Sequence, residues 1–342
     1  MSSISVVMPT CGKPGYLAYT LASLSVQTDR NFQLIVVDDD DGTSRATVQQ
    51  YRADVHLVYL SQKNAGRSAA RNTGIGAADG DHVLFLDDDR IAAPDLVAHH
   101  HSAQRHSSGV VIGWKSRCLT SWRRDALPMQ ESDFLQLATR HPAIAARMAV
   151  EDFDLIAPAD IHTDHAAALD IAGLGDDGDN YPQIVRRYGA GLTGFRLPWV
   201  LGTTANLSVP RALLEDVGGF DEQYHGWGME DTDLSYRLHR AGAPFRVEPS
   251  AVNWHQIHPL GPGPLRRDLR RRETDLTRNL ARFCDRHRTV ETYLYWRKWK
   301  SKLSLEAASD LLDVLDRAGS DTWRAELLDT YATLVATDLA AP

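Results

Sequence analysis

The sequence predicts an α/β protein built on a mostly parallel sheet flanked by helices. Short apolar runs recur through the first part of the chain, each ends in Gly, Pro or Asp, and a segment with helical spacing follows each one. Ile4 to Met8 reads as the first strand and closes on Pro9-Thr10, Gly12 and Gly15. Leu17, Leu21 and Leu24 then fall on one face of a helix over 16–26. Phe32 to Val37 forms a second strand ending in Asp38-Asp39-Asp40-Asp41-Gly42. Val55 to Leu60 is the third, and Asn64-Ala65-Gly66 opens a helix from Arg67 to Ala78. His82 to Leu86 is the fourth and stops at three carboxylates, Asp87-Asp88-Asp89. Four β-α units packed into about 90 residues leave a parallel, helix-covered sheet as the natural architecture.

Composition narrows the function classes. A chain of 342 residues with 43% hydrophobic and 24% charged residues is ordinary for a soluble globular protein. A net charge of −8 argues against a general nucleic-acid binder. Cys11, Cys118 and Cys284 are odd in number and far apart, which fits a reducing compartment and neither a disulfide framework nor a zinc site. No signal peptide or transmembrane stretch is expected, so the anticipated location is cytoplasmic.

Past Val110 to Trp114 the β-α rhythm fades, and 116–200 reads as an insertion of uncertain secondary structure that either shapes a pocket or decorates the scaffold. Leu201 to Val209 returns to the sheet, Pro210 suits the start of a helix over 211–217, and Gly218-Gly219 ends it. Phe245 to Glu248 is a last strand, followed by Val252 to His258. From 263 onward the chain reads as a helical C-terminal extension. Its basic segment Arg266–Arg272 and the mixed run Tyr293 to Lys300 are either ordinary surface and core, or a face for an anionic membrane or a second copy of the chain.

Two acidic foci carry the chemistry. Carboxylates at the C-terminal end of a buried strand lie where open α/β sheets bind ligands. Three packed together repel one another unless a cation is shared, and a hard divalent metal serves that purpose. The second focus is His225-Gly226-Trp227-Gly228-Met229-Glu230-Asp231. Glu230 and Asp231 open a helix there, a placement also explained by ordinary capping and dipole chemistry. The glycines around Trp227 suggest a mobile loop with a flat apolar surface that closes on a ligand. The first turn, Pro9 to Gly15, carries neither the dinucleotide-binding glycine pattern nor a Walker loop.

In order and spacing, Val6-Val7-Met8-Pro9-Thr10, Val36-Val37-Asp38-Asp39, Asn64 to Gly74, Phe85 to Asp89 and Gly226 to Leu234 together resemble a family-2-type glycosyltransferase of the GT-A fold. The resemblance spans 4–258, and Asp40 and Asp41 depart from the usual wording of its second motif. It implies a nucleotide-sugar-binding half over 1–115, an acceptor-shaping insertion over 116–200, an acceptor-binding half with the catalytic loop over 201–262, and the extension over 263–342.

The resemblance implies transfer of a sugar from a nucleoside-diphosphate sugar, a UDP-sugar first, to an acceptor hydroxyl. It implies a divalent ion, Mn2+ or Mg2+, and inversion by single displacement. Asp89 is then the metal ligand, completed by His255 with His258 as the fallback. Asp87 holds the donor ribose or reaches the metal through water, and Asp88 is the weaker donor-side candidate. Pro9, Thr10 and Asp39 receive the base, while Asp38 supports the loop. Arg67 and Arg71 share one helix face, Arg71 being favoured for a base or phosphate contact against an ion pair in the scaffold. Trp227 is placed on the donor side. Asp231 takes the acceptor proton, ionised at its helix N-terminus, and Glu230 orients the acceptor. The competing readings are a nucleotidyltransferase on a similar scaffold and a non-catalytic nucleotide-sugar-binding protein.

Overall fold

The computed structural model describes residues 3–124, 128–260, 265–301, 303–319 and 321–340. The opening β-α units are β1 (Ile4–Thr10), α1 (Pro14–Ser25), β2 (Phe32–Asp38), α2 (Arg45–Gln50), β3 (His56–Ser61), α3 (Arg67–Gly76) and β4 (His82–Phe85). Next come β5 (Arg90–Ala92), α4 (Leu96–Arg105) and β6 (Val110–Cys118). The insertion holds a small hairpin, β7 (Ser121–Trp122) with β8 (Phe153–Asp154), around α5 (Glu131–Arg140) and α6 (Pro142–Met148). It continues through α7 (Pro158–Thr163), α8 (His165–Ala172), β9 (Gly173–Asp176) and α9 (Pro182–Tyr188). The second half contributes β10 (Leu207–Pro210), α10 (Arg211–Asp216), α11 (Glu230–Arg240) and β11 (Phe245–Gln256). Four helices end the chain: α12 (Leu265–His287), α13 (Val290–Ser301), α14 (Leu305–Ala318) and α15 (Asp321–Ala340).

The main sheet has the order β3-β2-β1-β4-β10-β6-β11-β5, with β9 on β6. Strands β3, β2, β1 and β4 pair in parallel, β10 is antiparallel to both β4 and β6, and β11 is parallel to β6. Six strands therefore point one way, and only β5, β9 and β10 are reversed.

The apolar runs do not alternate with polar residues because both faces of the sheet are covered. Side chains of successive strand residues point to opposite faces. Val7, Ile35, Val37, Val83 and Phe85 pack with Ala70 of α3, Leu214 of α10 and Leu234 of α11. Val6, Met8, Leu34, Val36 and Leu84 meet Leu17, Leu21 and Leu24 of α1, Val48 of α2 and Leu96 of α4. Helix α3 lies so close to β1 that a Cβ on Gly74 would stand 2.4 Å from Val7 Cγ1, so this position needs glycine for packing alone.

Two expectations change. The two segments expected over 245–258 are one strand, β11, whose register against β6 shifts between Glu248 and Val252. Pro249 lies inside that break, where a residue without an N–H interrupts the ladder. Pro210 ends β10 and precedes α10, so it does not occupy the first helical position. The helical C-terminal extension is present, and its described helices pack into the main core. Leu280, Phe283, Tyr295, Leu312 and Tyr331 join the same core as Trp199 and Tyr236. The aromatic run Tyr293 to Trp296 is buried, which fits internal packing and leaves those rings no membrane or subunit face. Phe283 and Tyr295 both pack on Trp199, at 5.7 and 5.0 Å between centroids, and His287 bonds Asp233 of α11 at 2.8 Å. Among the described residues no helix is long and apolar enough to cross a membrane.

Because α12 shares the core, Phe283→Ala should cost roughly 3–5 kcal/mol by leaving a cavity. Urea unfolding followed by tryptophan fluorescence and by circular dichroism should stay one coincident transition. Separate transitions would show an independently folding extension.

Candidate active site

Strand order reverses beside β1, which has β2 on one side and β4 on the other. This is the switch point at which the C-terminal strand ends of an open α/β sheet leave a crevice. A cavity of about 1030 Å³ opens there and runs on to the N-terminus of α11.

Asp88 and Asp89 enter this cavity directly after β4, and both are buried. Thr10 Oγ1 donates to Asp88 Oδ2 at 2.7 Å, and Lys13 Nζ lies 3.0 Å from Asp88 and 2.6 Å from Asp89. His258 Nε2 is 2.9 Å from Asp89 Oδ2 and His255 Nε2 is 3.8 Å from Asp89 Oδ1. One ligand atom from each of Asp89, His255 and His258 lies within 4.8 Å of the others. Burial opposes the charge on Asp89, yet Lys13 and the two histidines hold its carboxyl well below the usual range. Asp88 goes the other way, raised by burial and by Asp89 against the pull of Lys13. Burial and Arg90 bring His255 down to about 4, so its imidazole is neutral at neutral pH, the form a metal needs. Sequence reasoning offered His255 and His258 as alternatives; β11 and the residues after it deliver both.

Asp38 and Asp39 brace loops. Asp38 accepts from Ser44 N at 2.7 Å and Tyr59 OH at 2.7 Å. Asp39 accepts from Ala65 N and Gly66 N at 2.9 Å each and from Gln62 Nε2 at 2.8 Å. Its own N–H reaches Thr10 O at 2.8 Å, which ties it to the first turn. Pro9, Thr10, Asp39 and Arg67 all line the cavity.

Arg71 differs most from expectation. It is buried and donates to Asp87 Oδ1 at 3.0 Å and to Glu230 Oε1 at 3.1 Å, an ion pair across the scaffold. Arg67 has its side chain 46% exposed and stands 4.0 Å from the same Glu230 oxygen, so it is the more exposed cation of the pair. Asn72 bonds Phe220 and Glu222 of the second half. Asp231 is corrected as well. A helix N-terminus favours the ionised form, but burial and the neighbouring Glu230 outweigh Arg71 and the Thr232 N–H and push its carboxyl up to about 7.

The Gly-Trp-Gly loop is clamped, not loose. Asp275 accepts from Trp227 N at 3.2 Å, and Asn279 donates to His225 O at 3.0 Å and Gly228 O at 2.9 Å. Gly226 has φ +77°, and a Cβ there would stand 2.3 Å from the Asp275 carboxylate. The Arg272 guanidinium lies 5.5 Å from the Trp227 ring centroid, so one arginine of the basic segment faces the cavity. Sequence reasoning missed Lys13, Tyr181, Tyr295 and Trp299, all of which line it. A lone lysine in the glycine- and proline-rich first turn was a usable signal; the three aromatics had none.

Residues 5–155 match the family model described as glycosyl transferase family 2, and 190–254 match that of the N-terminal domain of galactosyltransferase. The chain is 31% identical over 297 residues to the uncharacterized glycosyltransferase YfnE of Bacillus subtilis, covering 84% of this chain and 71% of that protein. It is 30% identical over 303 residues to a validoxylamine A glucosyltransferase of Streptomyces hygroscopicus, covering 86% of this chain and 63% of the relative, under two thirds of its length. In fold it is similar to the mannosyltransferase PcManGT from Pyrobaculum calidifontis, solved with GDP-Man and Mn2+. That likeness has a TM-score of 0.51 at 16% identity and covers 99% of this chain and 87% of the other.

Arg71→Met should cost about 3–5 kcal/mol, since it leaves buried carboxylates without their cation. Combining it with Glu230→Gln should recover part of that loss in urea titrations. An unchanged midpoint in the single variant would remove Arg71 from this role.

Proposed function

The chain belongs to the family 2 glycosyltransferases, and from that premise we propose that it moves a sugar from a nucleoside-diphosphate sugar to an acceptor hydroxyl with inversion, aided by a divalent ion. The observation that carries this reading is the sharing of one cavity by an Asp89-His255-His258 cluster and the raised carboxyl of Asp231.

The donor set fits a metal. Asp89 supplies an anionic oxygen, and His255, kept neutral by burial, and His258 supply imidazole nitrogens. Imidazoles suit transition ions better than Mg2+, which prefers oxygen and water. Mn2+ is therefore the ion proposed. Bound there, it would neutralise the charge that grows on the departing diphosphate.

The chain's own residues do the rest. Lys13 and Arg67 supply cations beside the position proposed for the phosphates. Asp39 holds the 64–66 loop and, with about two acceptor sites per carboxylate oxygen, also receives a base N–H beside Pro9 and Thr10. UDP is the nucleotide proposed. Asp87 holds the ribose while Arg71 fixes its carboxylate. Trp227 closes the donor side. On the far side Asp231 removes the acceptor proton as the acceptor oxygen attacks the anomeric carbon. The bond from that carbon to the diphosphate oxygen breaks, and the diphosphate leaves with the electron pair. Glu230, fixed by Arg71, orients the acceptor. A base with its pKa near the working pH is well matched to this proton transfer.

Asp89→Ala and Asp231→Asn should each abolish transfer, while Asp231→Asn keeps Mn2+-dependent nucleotide binding in a calorimetric titration. Full turnover by Asp231→Asn would remove it from the base role. Because Asp231 must be ionised, kcat/KM should fall as pH drops through about 7, by about tenfold per unit below it. A flat profile from pH 5 to 8 would contradict the assignment (about two units around that pKa). Chelation by EDTA should stop nucleoside-diphosphate release, and Mn2+ should restore it better than Mg2+.

A further inference from the structure

The cavity does not end at Asp231. It is lined also by Tyr181, from the turn before α9, and by Tyr295 and Trp299, from α13. The two segments of least legible purpose thus meet in the catalytic cleft. Lys298 Nζ donates to Tyr181 OH at 3.0 Å and stands 4.0 Å from the Trp299 ring centroid, which joins them. Tyr295 is buried edge-on to Trp299, 6.3 Å between centroids, and its phenol is raised by burial first and, to a smaller degree, by the charge of Asp231.

Two features set this cluster apart from ordinary core. Trp299 is 41% exposed although it lines a concave site, while its neighbours Tyr295 and Trp296 are 4% and 7% exposed. Tyr181 has φ +47° and ψ +58°, a conformation that costs a bulky residue free energy. Among the described residues five non-glycine residues have positive φ, and two of them, Tyr181 and Met229, line this cavity.

We propose that Tyr181 and Trp299 form the acceptor subsite and that its occupant is a six-membered polyhydroxylated ring, so that the acceptor is itself a carbohydrate. Such a ring has C–H faces and a hydroxyl rim. The C–H face lies on flat aromatic surface, and the rim finds polar groups around it. Asp177, Thr203 and Thr232 line the same cleft as the aromatics. One hydroxyl of a ring seated there is proposed to meet Asp231, which lines the same cavity. This inference rests on the base assignment above and specifies its substrate.

The test uses the full chain with Mn2+ and whichever of UDP or GDP binds more tightly. The probes are methyl β-glucopyranoside, methyl β-galactopyranoside and methyl N-acetyl-β-glucosaminide, with N-acetylthreonine methylamide as a peptide hydroxyl. Saturation-transfer NMR should show ring C–H protons of at least one pyranoside enhanced in the wild type. The affinity should drop about tenfold in Trp299→Ala and return in Trp299→Phe. Mn2+-nucleotide binding should be unchanged in Trp299→Ala, which shows that the fold and donor half are intact. Enhancement of the peptide probe alone, silence from all three pyranosides, or equal pyranoside affinity in Trp299→Ala overturns the inference. Absence of Mn2+-nucleotide binding in the wild type instead strikes the proposed function, and this inference falls with it.

Discussion

One buried guanidinium joins the two halves of this enzyme. Arg71 reaches Asp87 at the end of β4 and Glu230 at the start of α11, residues 143 apart in the chain (230 minus 87). Breaking such a buried pair is costly because the partner charges are left without water or cation. The tie therefore fixes the distance between the carboxylates after β4 and the carboxylate pair that opens α11. Asn72, one residue on, adds a second tie to the 220–222 segment. Helix α3 is thus a strut as well as a ligand-facing element, and Gly74 lets it sit directly on β1.

With that spacing set, the two acidic foci are tuned in opposite directions. Burial opposes the charge on both Asp89 and Asp231, and the local charge decides the outcome. Lys13, His255 and His258 win at Asp89, whose carboxyl is driven down and stays anionic. At Asp231 the adjacent Glu230 adds to burial, and Arg71 offsets only part of it. One carboxylate suits a cation and the other suits a proton. Environments that push two carboxyls apart are a recurring way of dividing roles within one site.

The sheet was legible because strands covered on both faces leave apolar runs of diagnostic length, and the acidic strand ends marked the crevice. The GT-A architecture follows from those units, and the family from their ordered motifs. Less was legible where partners are distant. Nothing near Arg71 in sequence announces Glu230, so its scaffold role and its phosphate role read alike. Pro249 split β11 into two apparent segments. The pKa of Asp231 depends on burial and on Glu230 beside it, so helix-dipole reasoning alone pointed to an ordinary ionised carboxylate. The aromatic run of α13 looked amphipathic because its cations and rings alternate, whereas Tyr295 and Trp296 are core and Trp299 reaches the cleft.

The proposed mechanism, with Asp231 as the base, is a single displacement and so has one stereochemical outcome. The most direct measurement is 1H NMR of the sugar first released from UDP-glucose in the presence of Mn2+, with water as the acceptor. The donor linkage is α, so the account predicts that the β-anomer appears first and that Asp231→Asn suppresses it. Initial release of the α-anomer would contradict the account.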